Sequence, residues 1–160
     1  MSHELSPEGF AALGRVPSGL FILTVRHGDE DTGMLASWVQ QCGFDPPQVA
    51  AALAKDRWVL NWLKPHAAFA VNVLAEGQKN LMAHFGKGFG PGEAAFAGLG
   101  VIRGKHAAPV LKDAHAWLDC RVLELFEAGD HVLVIGTVLN GAVQNDSRPA
   151  THIRKSGKHY

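Results

Sequence analysis

Short apolar runs alternate with clusters of glycine, proline and charged residues along the first third of the chain. Leu20–His27 and Met34–Gln41 are apolar runs, and the HGDEDTG segment His27–Gly33 between them has the composition of a turn. We therefore expect a hairpin of two strands. Phe44–Pro47 should interrupt the pattern because two prolines cannot lie inside a paired strand. Gln48–Ala54 then predicts a third strand.

The later part of the chain repeats this pattern with longer runs. Ala67–Leu74 predicts one strand, and Ala116–Phe126 and His131–Val143 predict a hairpin closed by the tight turn Glu127–Asp130. Both alternating faces of the last strand are mostly apolar, as expected for a strand covered by a barrel core on one side and a partner on the other. Six or seven strands of this kind indicate a small barrel.

Three short helical segments interrupt the predicted strands. Ser6–Val16 begins with a capping serine and a proline at the first helical position. Arg57–Lys64 predicts a second helix with Asp56 as its N-cap. Gln78–Phe85 fits one or two helical turns, and the glycine-rich segment Gly86–Gly92 after it indicates a mobile loop.

Composition places the chain among ordinary globular proteins. Apolar residues make up 47% and charged residues 19%, so we expect one domain over residues 1–160. Basic and acidic side chains balance at 15 each, which predicts no overall attraction to nucleic acid or membranes. The distant Cys42 and Cys120 indicate free thiols in a reducing compartment, and no signal-like or spanning apolar run is present. A cytoplasmic location follows as an expectation.

The charges are nevertheless unevenly distributed. After Asp146 the chain has no acidic residue, whereas Arg148, Arg154, Lys155 and Lys158 follow it. This basic segment is either a solvated tail or an arm that meets an anionic cofactor, substrate or partner. The sequence leaves both interpretations open.

Several common chemistries lack their motifs. None of the nine histidines forms the spaced pair with a nearby acid that a helical zinc site needs, so we expect no metal. The chain also has no phosphate-binding P-loop and no nucleophile elbow. Its glycines at 86, 88, 90 and 92 miss the spacing of a dinucleotide fingerprint.

Lys55-Asp56-Arg57 at the start of the second predicted helix is a candidate phosphate site. Two cations near a helix N-terminus are unfavourable by about 0.3–1 kcal/mol each, and a docked phosphate would reverse the sign of that cost. Backbone N–H groups, a lysine and an arginine are the groups that proteins use to hold phosphate. The alternative is a solvated helix start.

The segment Gly33–Pro47, GMLASWVQQCGFDPP, offers a second candidate. Ser37 and Gln41 supply polar donors, and Met34–Ala36 and Trp38 supply apolar surface. A flavin needs that mixture, with apolar groups for its flat ring and donors for its ribityl chain. Trp38 is equally compatible with a place in the core.

Taken together, GMLASWVQQCGFDPP, VAAALAKDRWVLNWL, FAVNVL and GDHVLVIGTV resemble the flavin reductase family. The chain is most similar to the flavin-reductase-like modules of flavodiiron proteins and high-molecular-weight rubredoxins, from about Leu13 onward. This resemblance implies a mainly β fold with short helices: an antiparallel, Greek-key, FMN-binding split β-barrel that forms a homodimer.

The resemblance also implies roles for individual residues. Met34, Leu35, Ala36, Ser37 and Trp38 match the turn that contacts the flavin ring and ribityl group. Gln41, Cys42 and Gly43 match the ribityl-phosphate path, although Cys42 and Gly43 lack the hydroxyl that other members often carry there. Lys55, Asp56 and Arg57 match a basic stretch near the phosphate. Phe85 matches an aromatic residue at the flavin edge, and His131 matches a histidine on the nicotinamide side.

The activity that this implies is NAD(P)H-dependent reduction of FMN, with FAD as an alternative flavin. A second hypothesis is an FMN electron carrier that another protein reduces and that passes electrons to a metalloprotein. A third, a heme or pyridoxine-phosphate binder on a related barrel, fits the sequence less well. The expected partners are a second copy of the chain, a flavin, a nicotinamide nucleotide and a redox protein.

Overall fold

The computed structural model describes residues 4–104 and 107–160. The regular secondary structure of these residues is mainly antiparallel strands. The strands are β1 Ser18–Gly19, β2 Phe21–His27, β3 Glu30–Ala36, β4 Val39–Phe44, β5 Pro47–Ala54, β6 Ala68–Val73, β7 Val101–Ile102, β8 Val110–Leu111, β9 Ala116–Ala128, β10 His131–Val143 and β11 Thr151–His152. The helices are α1 Pro7–Gly14 and α2 Lys79–Gly86, with a 3₁₀ turn at Trp58–Asn61.

Seven of the strands form one sheet in the order β3-β2-β6-β9-β10-β5-β4. All of its ladders are antiparallel. Its two outer strands, β3 and β4, are consecutive in the chain and are joined by Ser37 and Trp38. The sheet confirms the prediction of a mainly β fold with short helices. Greek-key barrel closure and the homodimer stay predictions.

The first predicted hairpin is confirmed, but its turn is shorter than the composition suggested. The turn consists of Gly28 and Asp29 alone, and Gly28 has a φ of 61°, which suits a two-residue hairpin turn. β3 therefore begins at Glu30, and the polar residues after it pair with β2. Asp31 is tolerated in the strand because Arg103 forms an ion pair with it.

The predicted strand Met34–Gln41 is wrong as a single element, because the chain leaves one strand and enters another within it. β3 ends at Ala36 and β4 begins at Val39. At the junction the Trp38 carbonyl accepts a hydrogen bond from the Ala52 N–H at 2.9 Å. The predicted break at Phe44–Pro47 is likewise narrower, since Phe44 pairs with Pro47 and only Asp45 and Pro46 lie outside the strands.

The predicted helix Arg57–Lys64 is wrong. Only Trp58–Asn61 is helical, as one 3₁₀ turn, and Arg57 rather than Asp56 precedes it, without a side-chain cap. Tertiary packing overrides the local preference here, because the Trp58 indole N–H donates to the Phe89 carbonyl at 2.7 Å. The helix-terminus argument for phosphate binding therefore does not apply to this segment.

The other two helices are confirmed with small changes of bounds. α1 ends at Gly14 rather than Val16, and the Ser6 side chain caps it by accepting a hydrogen bond from the Gly9 N–H at 3.1 Å. α2 buries Leu81 and Phe85 on one face. No helix among residues 4–104 and 107–160 is both long and apolar enough to span a bilayer.

The interior of the sheet is filled by branched and aromatic side chains from β2, β5, β6, β9 and β10. A second cluster packs α2 against the start of β2 and the end of β6. Asn72 on β6 is fully buried. Its Nδ2 donates to the Ile22 carbonyl at 3.0 Å, and its Oδ1 accepts from the Leu111 N–H at 2.8 Å. The asparagine of the FAVNVL motif therefore joins β2, β6 and β8.

The two cysteines differ in environment, which predicts different reactivity. Burial raises the pKa of the Cys120 thiol to about 12, whereas Cys42 is exposed on β4. At pH 8 the Cys120 thiolate fraction is then roughly one in ten thousand. A thiol reagent should therefore modify one cysteine of the folded protein and both in denaturant. Rapid labelling of both, or labelling that persists in Cys42→Ser, would contradict this.

The raised pKa of the Cys120 thiol also makes the stability of the fold depend on pH. A raised pKa means that the folded state favours the protonated thiol. Its contribution to stability is therefore present below pH 9 and falls as the pH rises toward 12.

Candidate functional site

A pocket of about 360 Å³ lies between the end of β3 and α2, and we call it the first pocket. This volume falls within the ordinary range of small-molecule sites, about 300–1,000 Å³. Its lining residues are Leu20, Met34, Leu35, Ala36, Ser37, Ala52, Leu53, Arg57, Met82, Phe85, Gly86, Lys87, Gly88, His152 and Tyr160.

Close packing of α2 on β3 shapes this pocket. Phe85 is buried, and a Cβ added to Gly33 would lie 2.7 Å from its ring, so only glycine lets the ring approach the strand this closely. The next residues of β3, Met34 to Ala36, then form one apolar wall. Ser37, also buried, adds a hydroxyl where the strand ends.

The cations that line the first pocket are the exposed side chains of Arg57 and Lys87. The half-buried His152 on β11 also lines this pocket. Its lining includes no aspartate or glutamate among the residues that the structure describes. An apolar slot with a basic rim suits a flat ligand that carries an anionic group.

A second pocket, of about 490 Å³, adjoins the first and shares Ala52 and Tyr160 with it. Its lining residues are Trp38, Ala52, Ala128, Asp130, His131, Gly157, Lys158, His159 and Tyr160. Its groups come from the β3–β4 junction, β5, the β9–β10 turn and the C-terminal segment. The two adjoining pockets together form the candidate site.

His131 at the start of β10 is held by hydrogen bonds from both ring nitrogens. Nδ1 lies 2.6 Å from the Asp130 carboxylate, and Nε2 contacts the Tyr160 hydroxyl. Hydrogen bonding to His131, with its charge as the second cause, lowers the pKa of Asp130. The ring also packs against Trp38, with centroids 4.9 Å apart.

The C-terminal segment folds back over the site. The Arg154 guanidinium lies 5.0 Å from the centre of the Trp38 ring, and Tyr160 packs on the same indole at 5.0 Å. The segment is tied to α1 by hydrogen bonds from the Arg154 N–H to the Gly14 carbonyl and from the Gly157 N–H to the Phe10 carbonyl. It is therefore part of the site rather than a freely solvated tail.

The structure gathers eight of the thirteen predicted site residues around the two pockets. The first pocket takes in Met34, Leu35, Ala36, Ser37, Arg57 and Phe85. The second takes in Trp38 and His131.

The other five predicted residues line neither pocket. Lys55 forms an ion pair with Glu127 at 3.3 Å, and Asp56 is exposed beside it. Gln41, Cys42 and Gly43 lie on the outer strand β4, where the Gln41 amide donates to the Gly43 carbonyl. Their predicted roles in holding a flavin are therefore without support from these two pockets and stay predictions.

Sequence reasoning missed part of the lining. Met82, Lys87, Gly88, His152 and Tyr160 line the first pocket without having been predicted. The basic C-terminal segment was a signal for His152 and its neighbours, but the sequence could not show where that segment folds. The composition of Gly86–Gly92 after α2 predicts only a mobile loop. Lys87 within this segment supplies one of the cations at the rim of the pocket.

Comparison with known proteins places this chain in a family. Residues 13–159 match the flavin reductase like domain. A relative from Nostoc sp. strain PCC 7120 is 45% identical over 151 residues, and diflavin flavoprotein A 1 of Synechocystis sp. strain PCC 6803 is 40% identical over 151 residues. Each match covers 93% of this chain but only 26% of the relative, so the chain spans about a quarter of their length.

Among solved structures, the NADH:FAD oxidoreductase SgcE6 of Streptomyces globisporus is similar with a TM-score of 0.80 and 29% identity. That match covers 89% of this chain and 85% of SgcE6. The family match spans most of the chain and includes every lining residue of the two pockets except Tyr160. On this evidence, the chain belongs to the flavin-reductase-like domain family.

Proposed function

We propose that this protein is an NAD(P)H-dependent flavin reductase that binds FMN in the first pocket. One observation carries this proposal: the apolar, basic-rimmed first pocket adjoins a second pocket lined by His131 and Trp38, with Ala52 and Tyr160 common to both. Two adjoining pockets suit a reaction in which two planar rings must meet. FAD is the alternative flavin.

The residues of the first pocket fit a flavin. Met34, Leu35, Ala36 and Phe85 provide apolar surface for a flat ring. Ser37 offers a hydroxyl, and Arg57 and Lys87 offer cations to a phosphate. The described lining of this pocket contains no aspartate or glutamate that would repel the phosphate.

The second pocket fits the nicotinamide partner. SgcE6 has been solved in complex with NAD and FAD fragments, and that structure has a TM-score of 0.78 and 28% identity with this chain. Here Trp38 lines the pocket with an aromatic side chain, and Lys158 offers positive charge to a dinucleotide phosphate. His131 is in reach to orient the carboxamide.

A bound flavin supplies the redox chemistry, accepting a hydride from the reduced nicotinamide. The protein's task is then to hold the two rings in contact and to exclude competing reactions. The walls from β3 and α2 orient one ligand, and the C-terminal segment encloses the other.

Nucleotide oxidation tests the proposal directly. The purified protein should consume NADH or NADPH when FMN is in excess, and comparison of the two nucleotides and of FMN with FAD identifies the preferred pair. A protein that binds flavin but oxidises neither nucleotide would overturn the reductase proposal. A protein that binds no flavin would overturn the assignment of the first pocket as well.

Electron transfer between proteins is the second candidate function. It is favoured by the relatives named diflavin flavoprotein A, in which the matching region is about a quarter of a longer chain. In that case the bound flavin would be reduced by another protein and would pass electrons to a metalloprotein partner. Flavin that stays oxidised with both nucleotides, but is reduced by a reductase protein, would identify this function.

A homodimeric state and a cytoplasmic setting accompany the proposal. Phe44, 91% exposed at the end of the outer strand β4, is an apolar side chain that a second copy could cover. Light scattering on the purified protein would measure the mass. A monomeric mass at high concentration would overturn the dimer.

A further inference from the structure

A continuous hydrogen-bonded chain of three side chains runs from solvent into the candidate site. Asp130 contacts His131 Nδ1 at 2.6 Å, and His131 Nε2 contacts the Tyr160 hydroxyl. The Asp130 side chain is 94% exposed and that of His131 is 15% exposed, while Tyr160, which lines both pockets, is 55% exposed. The outer end therefore meets bulk water.

Tyr160 connects this chain to the first pocket. His131 lines only the second pocket, whereas Tyr160 lines both. Its ring is fixed by Trp38, with centroids 5.0 Å apart, so packing and hydrogen bonding act on different parts of the same side chain. Of the three hydrogen-bonded side chains, only Tyr160 therefore lines both pockets, whereas Asp130 and His131 line the second pocket alone.

We propose that His131 and Tyr160 form a proton relay that Asp130 orients, with the Tyr160 hydroxyl as the group that gives a proton to the flavin during its reduction. This inference rests on the proposed function, since it needs a flavin in the first pocket. It adds a catalytic residue that no sequence motif indicated. His131 and Asp130 act through Tyr160 and are positioning residues in this step.

The C4–H bond of the reduced nicotinamide breaks, and its hydride forms an N–H bond on the flavin, so the nicotinamide loses two electrons and the flavin gains them. Full reduction to the neutral dihydroflavin takes up one further proton. That proton leaves the Tyr160 oxygen, the Nε2–H of a protonated His131 replaces it, and water returns a proton to His131. The Asp130 carboxylate balances the charge of the protonated imidazole.

The environment keeps the phenol in its proton-bearing form. Burial is the main cause that raises the pKa of Tyr160 above its ordinary value, with Asp130 and Asp56 acting in the same direction and Arg57 and Arg154 opposing them. A protonated phenol at neutral pH is what a donor requires. The other titratable groups that line the two pockets with it are Lys87, His152, His131, Lys158 and His159.

Tyr160→Phe tests the relay because it removes the hydroxyl and keeps the ring on Trp38. We expect flavin affinity within about twofold of wild type, and flavin reduction slowed by about tenfold or more, as for loss of a general acid. The wild-type step should show a solvent deuterium isotope effect that the variant lacks. Equal rates and equal isotope effects would overturn the proposal.

A second measurement needs no flavin. Tyr160 is the only tyrosine of the chain, so the ultraviolet absorbance of phenolate in the flavin-free protein reports its titration alone. We expect a midpoint above that of free tyrosine, and a changed midpoint in His131→Ala. His115→Ala, which removes an imidazole bonded to Ser147 instead, should leave the midpoint unchanged. A midpoint unaffected by His131→Ala would show that the two side chains are not coupled and would overturn the relay.

These results separate the two proposals. If the wild-type protein reduces no flavin while Tyr160 still titrates in coupling with His131, the proposed function fails. If the wild type reduces flavin and Tyr160→Phe does so at the same rate, the relay fails and the function stands.

Discussion

Arg57→Ala should weaken FMN binding by about tenfold to a hundredfold. Arg57 lines the first pocket and is one of its two exposed cations, opposite an apolar wall that cannot replace its charge. A charge-assisted hydrogen bond contributes about 1.5–3 kcal/mol, and each 1.4 kcal/mol is a factor of ten in Kd. Its exposure to solvent places the expected effect in the lower part of that range. Quenching of flavin fluorescence during titration of the flavin-free protein measures this change.

Lys55→Ala is the matched control for this prediction. It removes the same charge two residues away, but the Lys55 ammonium contacts Glu127 at 3.3 Å and lines neither pocket. Exposed ion pairs of this kind contribute little, so flavin affinity should change by less than about twofold. Equal losses in the two variants would mean that the basic stretch acts only through long-range charge.

Riboflavin, which lacks the phosphate, identifies the group that Arg57 contacts. If Arg57 holds the phosphate, Arg57→Ala should leave riboflavin affinity close to wild type while FMN affinity falls. Added salt should reduce the difference between the wild type and the variant for FMN. Unchanged FMN affinity in Arg57→Ala would overturn the placement of the phosphate at this residue.

Gly136→Ala should destabilise the fold by about 1–3 kcal/mol or more. A Cβ at this position of β10 would lie 2.3 Å from the ring of Phe69, which is 0% exposed, and 3.3 Å from the Arg121 carbonyl oxygen. Neither the buried ring nor the paired backbone can move without disturbing the core. For a chain of this length the midpoint of thermal unfolding should fall by roughly 3–10 °C.

Two further variants make this prediction specific. Gly100→Ala is the matched control, because its Cβ would come no closer than 3.4 Å to the flexible Lys112 side chain. It should be neutral or slightly stabilising, as expected when a glycine is replaced without strain. Phe69→Leu in the Gly136→Ala background should recover part of the loss, because the smaller side chain leaves room for the methyl group. An unaltered unfolding midpoint in Gly136→Ala would contradict the contact.

Local pattern was sufficient to predict the strands of this protein where the residues were strongly apolar. β2, β5, β6, β9 and β10 lie where runs of branched and aromatic residues predicted them. The turns were predicted less accurately than the strands. The polar start of β3 resembles a turn in composition, and only pairing with β2 and the ion pair of Asp31 with Arg103 make it a strand.

The segment after β5 shows why local preference failed elsewhere. Asp56 and the residues after it have the composition of a capped helix, yet only Trp58–Asn61 is helical, as one 3₁₀ turn, and the Trp58 indole donates to the distant Phe89 carbonyl. The candidate phosphate site therefore also differs from the prediction. Arg57 lines the first pocket, whereas Lys55 is directed to Glu127. Adjacent positions in the sequence thus have different chemical surroundings.

By itself, the sequence determined the mainly β class, most strands and the family resemblance, because alternation and residue type act over a few neighbouring positions. Tertiary structure alone decided which groups share a pocket, since Ser37, Arg57, Phe85 and Tyr160 meet only when distant strands pair and the C-terminal segment folds onto α1. Contacts between residues far apart in the chain depend on the whole fold, and no local pattern encodes them.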